Sequence, residues 1–450
     1  QLRHGLSCRS CFLVPDGKDK MNPKHKFKTR PTTRLRARFF TGVFAQLLAI
    51  YAPLAVSSDA IGFQPQDFSA IEARLLKHPT LQQLKLRSTA MQAFAKADSA
   101  LPDPIISLGL NNVPISTFAF DDFLPTHKSI GIQQSIPNGG IRRARLQNAR
   151  TKSASLELAF EYEHSLLRAS LIIGLIDQVN LEQEISLARQ RDRKYSELQQ
   201  VVRNEINAGR AVVFRLARID IERADVAQEV ANLQAQLSAV KAKIDSLIEI
   251  ETDIHPPPLP LTEWDGNPLS FHRVRLAMAN ISIAETRVSE VQAENGPSWG
   301  VSLTYQQRQA GTGQMGSPFS GDDWFSGQLT FTVPIWASKK QAPALRAAIA
   351  EKAAAKMDVA SIAREVESEW RRFAAERKAA NSNIVLLEKQ LQALEEQIAA
   401  SLTTYESGTG DYAPIVDGEI TRLQFKSKIS REKARRNMNA IKANSQLVLI

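Results

Sequence analysis

The 450 residues are 43% hydrophobic and 23% charged, a composition that supports a buried core and excludes intrinsic disorder. A formal charge of +10 invites a nucleic-acid reading. However, eleven of the 57 basic residues and only three of the 47 acidic ones fall in residues 1–60, so the rest of the chain is nearly neutral and the basic character belongs to a leader. In chain order, a basic stretch from Lys24 to Arg38 precedes an apolar run from Phe39 to Val56 and then Ser57-Ser58-Asp59-Ala60. That is the layout of a secretory signal peptide, with Met21 as a plausible start and cleavage near Ala60 or at Ala55-Val56-Ser57. An uncleaved inner-membrane anchor is the alternative, against which Gly42, Gln46 and Pro53 interrupt the run. Cys8 and Cys11 have CxxC spacing without a second pair and precede the expected cleavage site, so the mature chain is expected to be free of cysteine.

Beyond the leader the chain repeats itself with an offset just below 200 residues. His78-Pro79 and Asn267-Pro268 each open a helical segment, and each segment leads through proline into an alternating strand. A second strand follows in each half, closing on Ile136-Pro137 or Val333-Pro334, and a long Ala-rich helical pattern comes next. Those patterns break at Ala208-Gly209 and Ser407-Gly408, after which one more helix is expected. The order helix, strand, strand, long helix, helix is performed twice, over 61–259 and 260–450, joined by His255-Pro256-Pro257-Pro258-Leu259-Pro260.

The helices carry heptad seams. Val226, Val230, Leu233, Leu237, Val240, Ile244 and Leu247 alternate spacings of four and three, as do Ile384, Leu387, Leu391, Leu394 and Ile398. Leu181, Ile185, Ala188, Tyr195, Leu198 and Val202 share that register, with Asp192 at one skipped position. Sustained seams predict helices packed along their length at shallow angles. Unbroken helices from Gly139 to Ile206 and from Ser338 to Tyr405 would each extend roughly 100 Å. These are struts rather than parts of a compact domain.

The strands alternate as well. Phe325, Gly327, Leu329, Phe331, Val333 and Ile335 share a face opposite Ser326, Gln328, Thr330 and Thr332, and Trp299, Val301, Leu303 and Tyr305 oppose small or polar residues. In the first half Ile106, Leu108 and Leu110 share one face, as do Ile130, Ile132, Gln134 and Ile136. Such segments suit either a half-buried sheet of a soluble domain or the wall of a membrane barrel, lipid outside and water inside. Trp299, Tyr305, Trp324, Phe325, Phe331 and Trp336, with Phe118, Phe120 and Phe123 between the first two strands, read as interfacial aromatics. Four strands cannot close a barrel, so the membrane reading requires oligomerisation.

This order of elements, with Leu101-Pro102-Asp103-Pro104, the proline strand exits and the glycine turns, resembles the outer-membrane efflux protein (TolC-like) family. Leu-Pro-Asp-Pro followed by Asn111-Asn112-Val113-Pro114 is similar to its heavy-metal (CzcC-like) branch. The resemblance implies a mainly α fold with a membrane β-barrel. It is built as a homotrimer with a shared twelve-stranded barrel and a long α-helical barrel, located in the outer membrane of a Gram-negative bacterium and extending into the periplasm. It implies a passive channel, not an enzyme and without cofactors, set in outer-membrane lipid. The channel docks to a periplasmic adaptor protein and an inner-membrane efflux pump, with metal cations as one candidate cargo. Adaptor docking falls on Ala208, Gly209, Arg210, Ser407, Gly408 and Thr409, although glycines there also simply end helices. Family members commonly place acids six and nine residues past the glycine. Here only Asp417 is kept; the other matching positions are Pro414, Arg215 and Arg218. A gate of Asp417 tied to Arg215 or Arg218 is the expectation, against ordinary solvated charges. A periplasmic adaptor is the alternative reading, though an adaptor has one hairpin and flanking β-rich domains. His78, His127, His164, His255 and His272 lack metal-ligand spacing, and no phosphate loop or nucleophile motif is present.

Overall fold

The computed structural model describes residues 68–209, 213–249, 254–257, 260–313 and 316–448, all within one unit, Phe63–Ile450. The leader assigned to 1–60, with Cys8 and Cys11, lies outside the described residues. The first half contains α1 (Phe68–Leu75), α2 (Pro79–Ser99), β1 (Ile105–Asn111), β2 (His127–Ile136), α3 (Gly139–Asn207) and α4 (Phe214–Ile248). The second contains a single 3-10 turn (Pro268–Ser270), α5 (His272–Ala293), β3 (Trp299–Gln307), a small hairpin β4 (Gly311–Thr312) and β5 (Pro318–Phe319), β6 (Trp324–Phe331), α6 (Gln341–Glu406) and α7 (Ala413–Asn444). The expected sequence of elements therefore recurs twice, with α1 and the β4–β5 hairpin as additions that periodicity did not disclose.

Local chemistry sets the boundaries. His78 accepts the Thr80 amide at α2, with Pro79 in the first turn, and Asn138 Oδ1 accepts the Gly140 amide at 2.7 Å to open α3. Gly209 at φ +69 and Gly408 at φ +76 end the long helices in the left-handed conformation that favours glycine. One expectation needs correction: β6 stops at Phe331, so Val333 and Ile335 lie past the strand. Pro334 cannot donate to a ladder, and the Ile335 amide instead closes a tight turn on the Val333 carbonyl.

The struts are real. Helices of 69 and 66 residues extend about 100 Å each. α2 lies along the first half of α3 (Ser88 to Ser153, 2.9 Å), α4 along its second half (Tyr195 to Glu222, 3.1 Å). Likewise α5 and α7 flank successive halves of α6, and both also touch α3. The α3–α4 seam is buried as its spacing required, from Leu181 through Val202 and at Val226, Leu233 and Ile244. Skipped position Asp192 pairs with Arg223 of α4 at 3.0 Å. The α6 seam differs: only Ile384 is buried, and Leu387, Leu391, Leu394 and Ile398 are half covered.

β1, β2, β3 and β6 form one antiparallel sheet in that order. Its strands contact one another and pack against no helix among the described residues. Both faces and both edges are open.

Candidate functional site

Register assigns every strand residue to a face. Leu108, Ile130, Tyr305 and Phe325 stand in one row; Ile106, Ile132 and Leu303 stand in the next; Ile136, Trp299 and Phe331 close the series. These rows make a continuous apolar face that is bare in the single chain, with Leu108 78% and Phe325 72% exposed. A soluble monomer rarely leaves so much apolar surface uncovered. Lys128 and Gln307 stand on this face at its loop end, beside Leu110; Gln134 interrupts it further in, and its amide is satisfied by the carbonyls of Pro102 and Ser135 at 2.8 Å each.

The opposite face carries Ser107, Gly131, Thr304 and Ser326 in one row and Gln133, Ser302 and Gln328 in another, with the apolar Ile105 at the β1 end of the second. No charged residue stands in these rows. Crowding favours small residues here: a Cβ at Gly131 would sit 2.6 Å from Ser107 Oγ, and one at Gly300 would sit 2.5 Å from Thr330 Oγ1, so either hydroxyl would have to turn aside. Trp324 alternates onto this polar face, opposite Gln306, and so does not share a face with Trp299, Tyr305, Phe325 and Phe331. Trp336 lies beyond the strand, exposed, with Lys339 Nζ 5.7 Å from its ring.

At the far end of the struts, Ala208, Gly209, Ser407, Gly408 and Thr409 are all exposed on the two turns; Arg210 lies outside the described residues. The first turn continues into Val213 and Phe214, both exposed, an apolar pair that the glycine pattern had not singled out. The second is fastened by the Tyr405 and Tyr412 rings, 5.3 Å apart.

Just above the turns, Asp417 of α7 lines the same cleft as Arg215 and Arg218 of α4, a space of about 560 Å³ also walled by Tyr195 of α3 and Glu222. The structure thus brings the three sequence-derived residues together within one copy. Arg215 donates to Glu205 at 2.9 Å, a partner that spacing from the glycine did not reveal. Asp417 keeps an open side, yet the helices around it raise its carboxyl above the usual value; desolvation is the larger effect, opposed by Arg215 and then Arg218. Tyr195 donates to Glu222 and, with burial as the main cause, is pushed up to about 12.

Among the described residues no group of three or more His, Cys, Asp or Glu is placed to hold a metal ion, and no helix is long and apolar enough to cross a membrane. The loop acids are held locally, Asp122 by Thr117 at 2.7 Å and Asp322 by Ser320.

No family model matches the sequence, and no curated protein matches it either. Solved structures do match. CusC, described for its folding and transmembrane channel formation, is 14% identical with a TM-score of 0.69, covering 85% of this chain and 94% of that one. The outer membrane protein VceC of Vibrio cholerae is 15% identical with a TM-score of 0.66, covering 83% and 94%. The open state of the MtrE outer membrane channel of Neisseria gonorrhoeae is 16% identical with a TM-score of 0.66, covering 84% and 88%. The match covers more than four fifths of the chain in each case, and the chain has the fold of the TolC-like outer-membrane channels.

Proposed function

We propose that this chain is the outer-membrane channel of a tripartite efflux or secretion system, a passive duct from the periplasm to the outside. The observation that carries the reading is the bare sheet: one face apolar, one face uncharged and crowded with small residues, both edges open. Lipid against the first face and water against the second satisfy both. Three copies would supply twelve strands, pairing β1 of one with β6 of the next and removing every edge. The struts suit a helical tunnel below this barrel, in the periplasm, and the exposed turns suit docking to a periplasmic adaptor and, through it, an inner-membrane pump. Transport energy would come from the pump, so the duct needs neither catalytic centre nor cofactor. Heavy-metal cations are the cargo class suggested by the Leu101-Pro102-Asp103-Pro104 strand entry. The adaptor reading loses ground, since both halves carry a long-helix pair and their strands form a single sheet.

In the gate we place Asp417, Arg215 and Arg218. Three Asp417 carboxylates around a narrow axis would repel one another at reduced dielectric, and the charges of the nearby arginines would offset that repulsion. The test is fractionation followed by planar-bilayer recording. The chain should sediment with outer membranes, require detergent and conduct, with conductance rising in Asp417→Ala or Arg215→Ala. Recovery as a water-soluble periplasmic protein without conductance would overturn the channel; unchanged conductance in both variants would remove the gate alone.

A further inference from the structure

We propose that the duct has a second constriction at its outward mouth, formed by the Trp324 indole and held in place by Arg308. The inference rests on the polar sheet face being the pore wall. Register puts Gln306 and Trp324 opposite each other on that face, and Arg308 lies just past the end of β3 at Gln307. Its guanidinium lies 4.1 Å from the centroid of the Trp324 ring. Arg308 is only 7% exposed, whereas Trp324 is 49% exposed. The arginine is therefore covered by the tryptophan, and the indole is the surface that a passing solute meets.

Arg308 also ties together the two connections at this end of the sheet. Its Nη2 donates to the carbonyl of Leu124, in the connection between β1 and β2, while its own backbone amide donates to Asp323 Oδ1 at 3.1 Å. The other carboxylate oxygen of Asp323 accepts the Tyr305 hydroxyl. Beyond this knot, Gly311 abuts the first connection so closely that a Cβ there would sit 1.8 Å from the Asp121 carbonyl oxygen. The two connections are thus joined at two points, with Arg308 as a positioning residue. Lysine could keep the charge but not the flat, forked contact with ring and carbonyl. A buried guanidinium stacked on an indole in this way is favourable where water is scarce. In a trimer three such indoles would ring the exit, above a wall without charges, and would limit passage by bulk rather than by charge.

Single-channel recording and entry of externally added vancomycin into cells carrying the chain test this. Trp324→Ala, which removes only a half-exposed ring, should raise conductance by about half or more and admit the antibiotic. Arg308→Ala should do the same by freeing the connections, with Arg308→Lys in between. Unchanged conductance and exclusion in Trp324→Ala, with a conducting wild type, would overturn the constriction and leave the channel intact. A wild type that forms no pore would instead overturn the channel reading, and the constriction with it.

Discussion

His272 shows how much one buried side chain can carry in this molecule. It is 7% exposed, its ring stacks on Tyr162 at 5.6 Å, and its backbone amide donates to the Gln446 carbonyl, tying the start of α5 to the segment after α7. Burial, and next the charge of Arg275, lower the imidazole to about 4, against a hydrogen bond at Leu447 that acts the other way. A histidine depressed in the folded state binds its proton first in the unfolded chain. The stability it secures is complete above the ordinary value near 6.5 and is lost as pH falls from there towards about 4. The loss is on the order of 3 kcal/mol. Denaturation curves of the wild type should show that slope, and His272→Phe, which keeps the stack without the titrating ring, should flatten it. An equal slope in both would assign the acid sensitivity elsewhere. At this scale the sequence is only partly legible. Asp417, Arg215 and Arg218 could be picked out by their distance from two glycines, because a helix converts spacing into position. Glu205, Arg308 and the burial of His272 could not be, because each depends on which element arrives opposite it.

Helices and strands were the most legible part of the chain. Heptad spacing located the buried stripe of α3, since a pattern repeated over many turns marks one face; Ala188, Tyr195, Leu198 and Val202 on it meet Ile219 and Val226 of α4 and also Ala413, Val416 and Ile420 of α7. Burial there differs from that of α6, whose seam is half covered and whose Val385 and Leu386 lie exposed. The physical reason is that a seam specifies contact without specifying whose; among the described residues α3 packs against α2, α4, α5 and α7 of its own copy, and α6 chiefly against α5 and α7. Two consequences can be separated by experiment. Leu233→Ala, in the cluster with Leu181 and Ile185, should destabilise the fold by about 2–5 kcal/mol. Leu386→Ala, 58% exposed in the single copy, should leave the fold of each copy unaffected and lower the concentration of denaturing detergent at which the oligomer separates. Equal effects of the two variants on unfolding would mean that α6 has no neighbour beyond its own chain. The strands were read less completely. Alternation predicted both faces of β3 and β6, but it carried the last strand into Val333 and Ile335 because apolar alternation continues through a proline that the ladder cannot use.

At the scale of the whole molecule, a single copy is incomplete by the ordinary rules of folding. Four strands leave two open edges, an apolar face and a polar face without cover, and the α6 seam only half covered. A free edge and an unburied apolar face are each hazards in a soluble monomer. On the proposed reading, closure by copies of the same chain would remove the edges and leave the apolar face for lipid. None of this needs an enzyme's apparatus, and the near-neutral charge of the chain beyond residue 60 suits a wall rather than a nucleic-acid surface. The direct test is the mass of the detergent-purified chain, by native mass spectrometry or light scattering, with bilayer recording of the same sample. A trimer that opens pores is the expected result. A monodisperse monomer that stays in solution without detergent and conducts nothing would contradict the shared barrel, and with it the account of why this sheet is left bare.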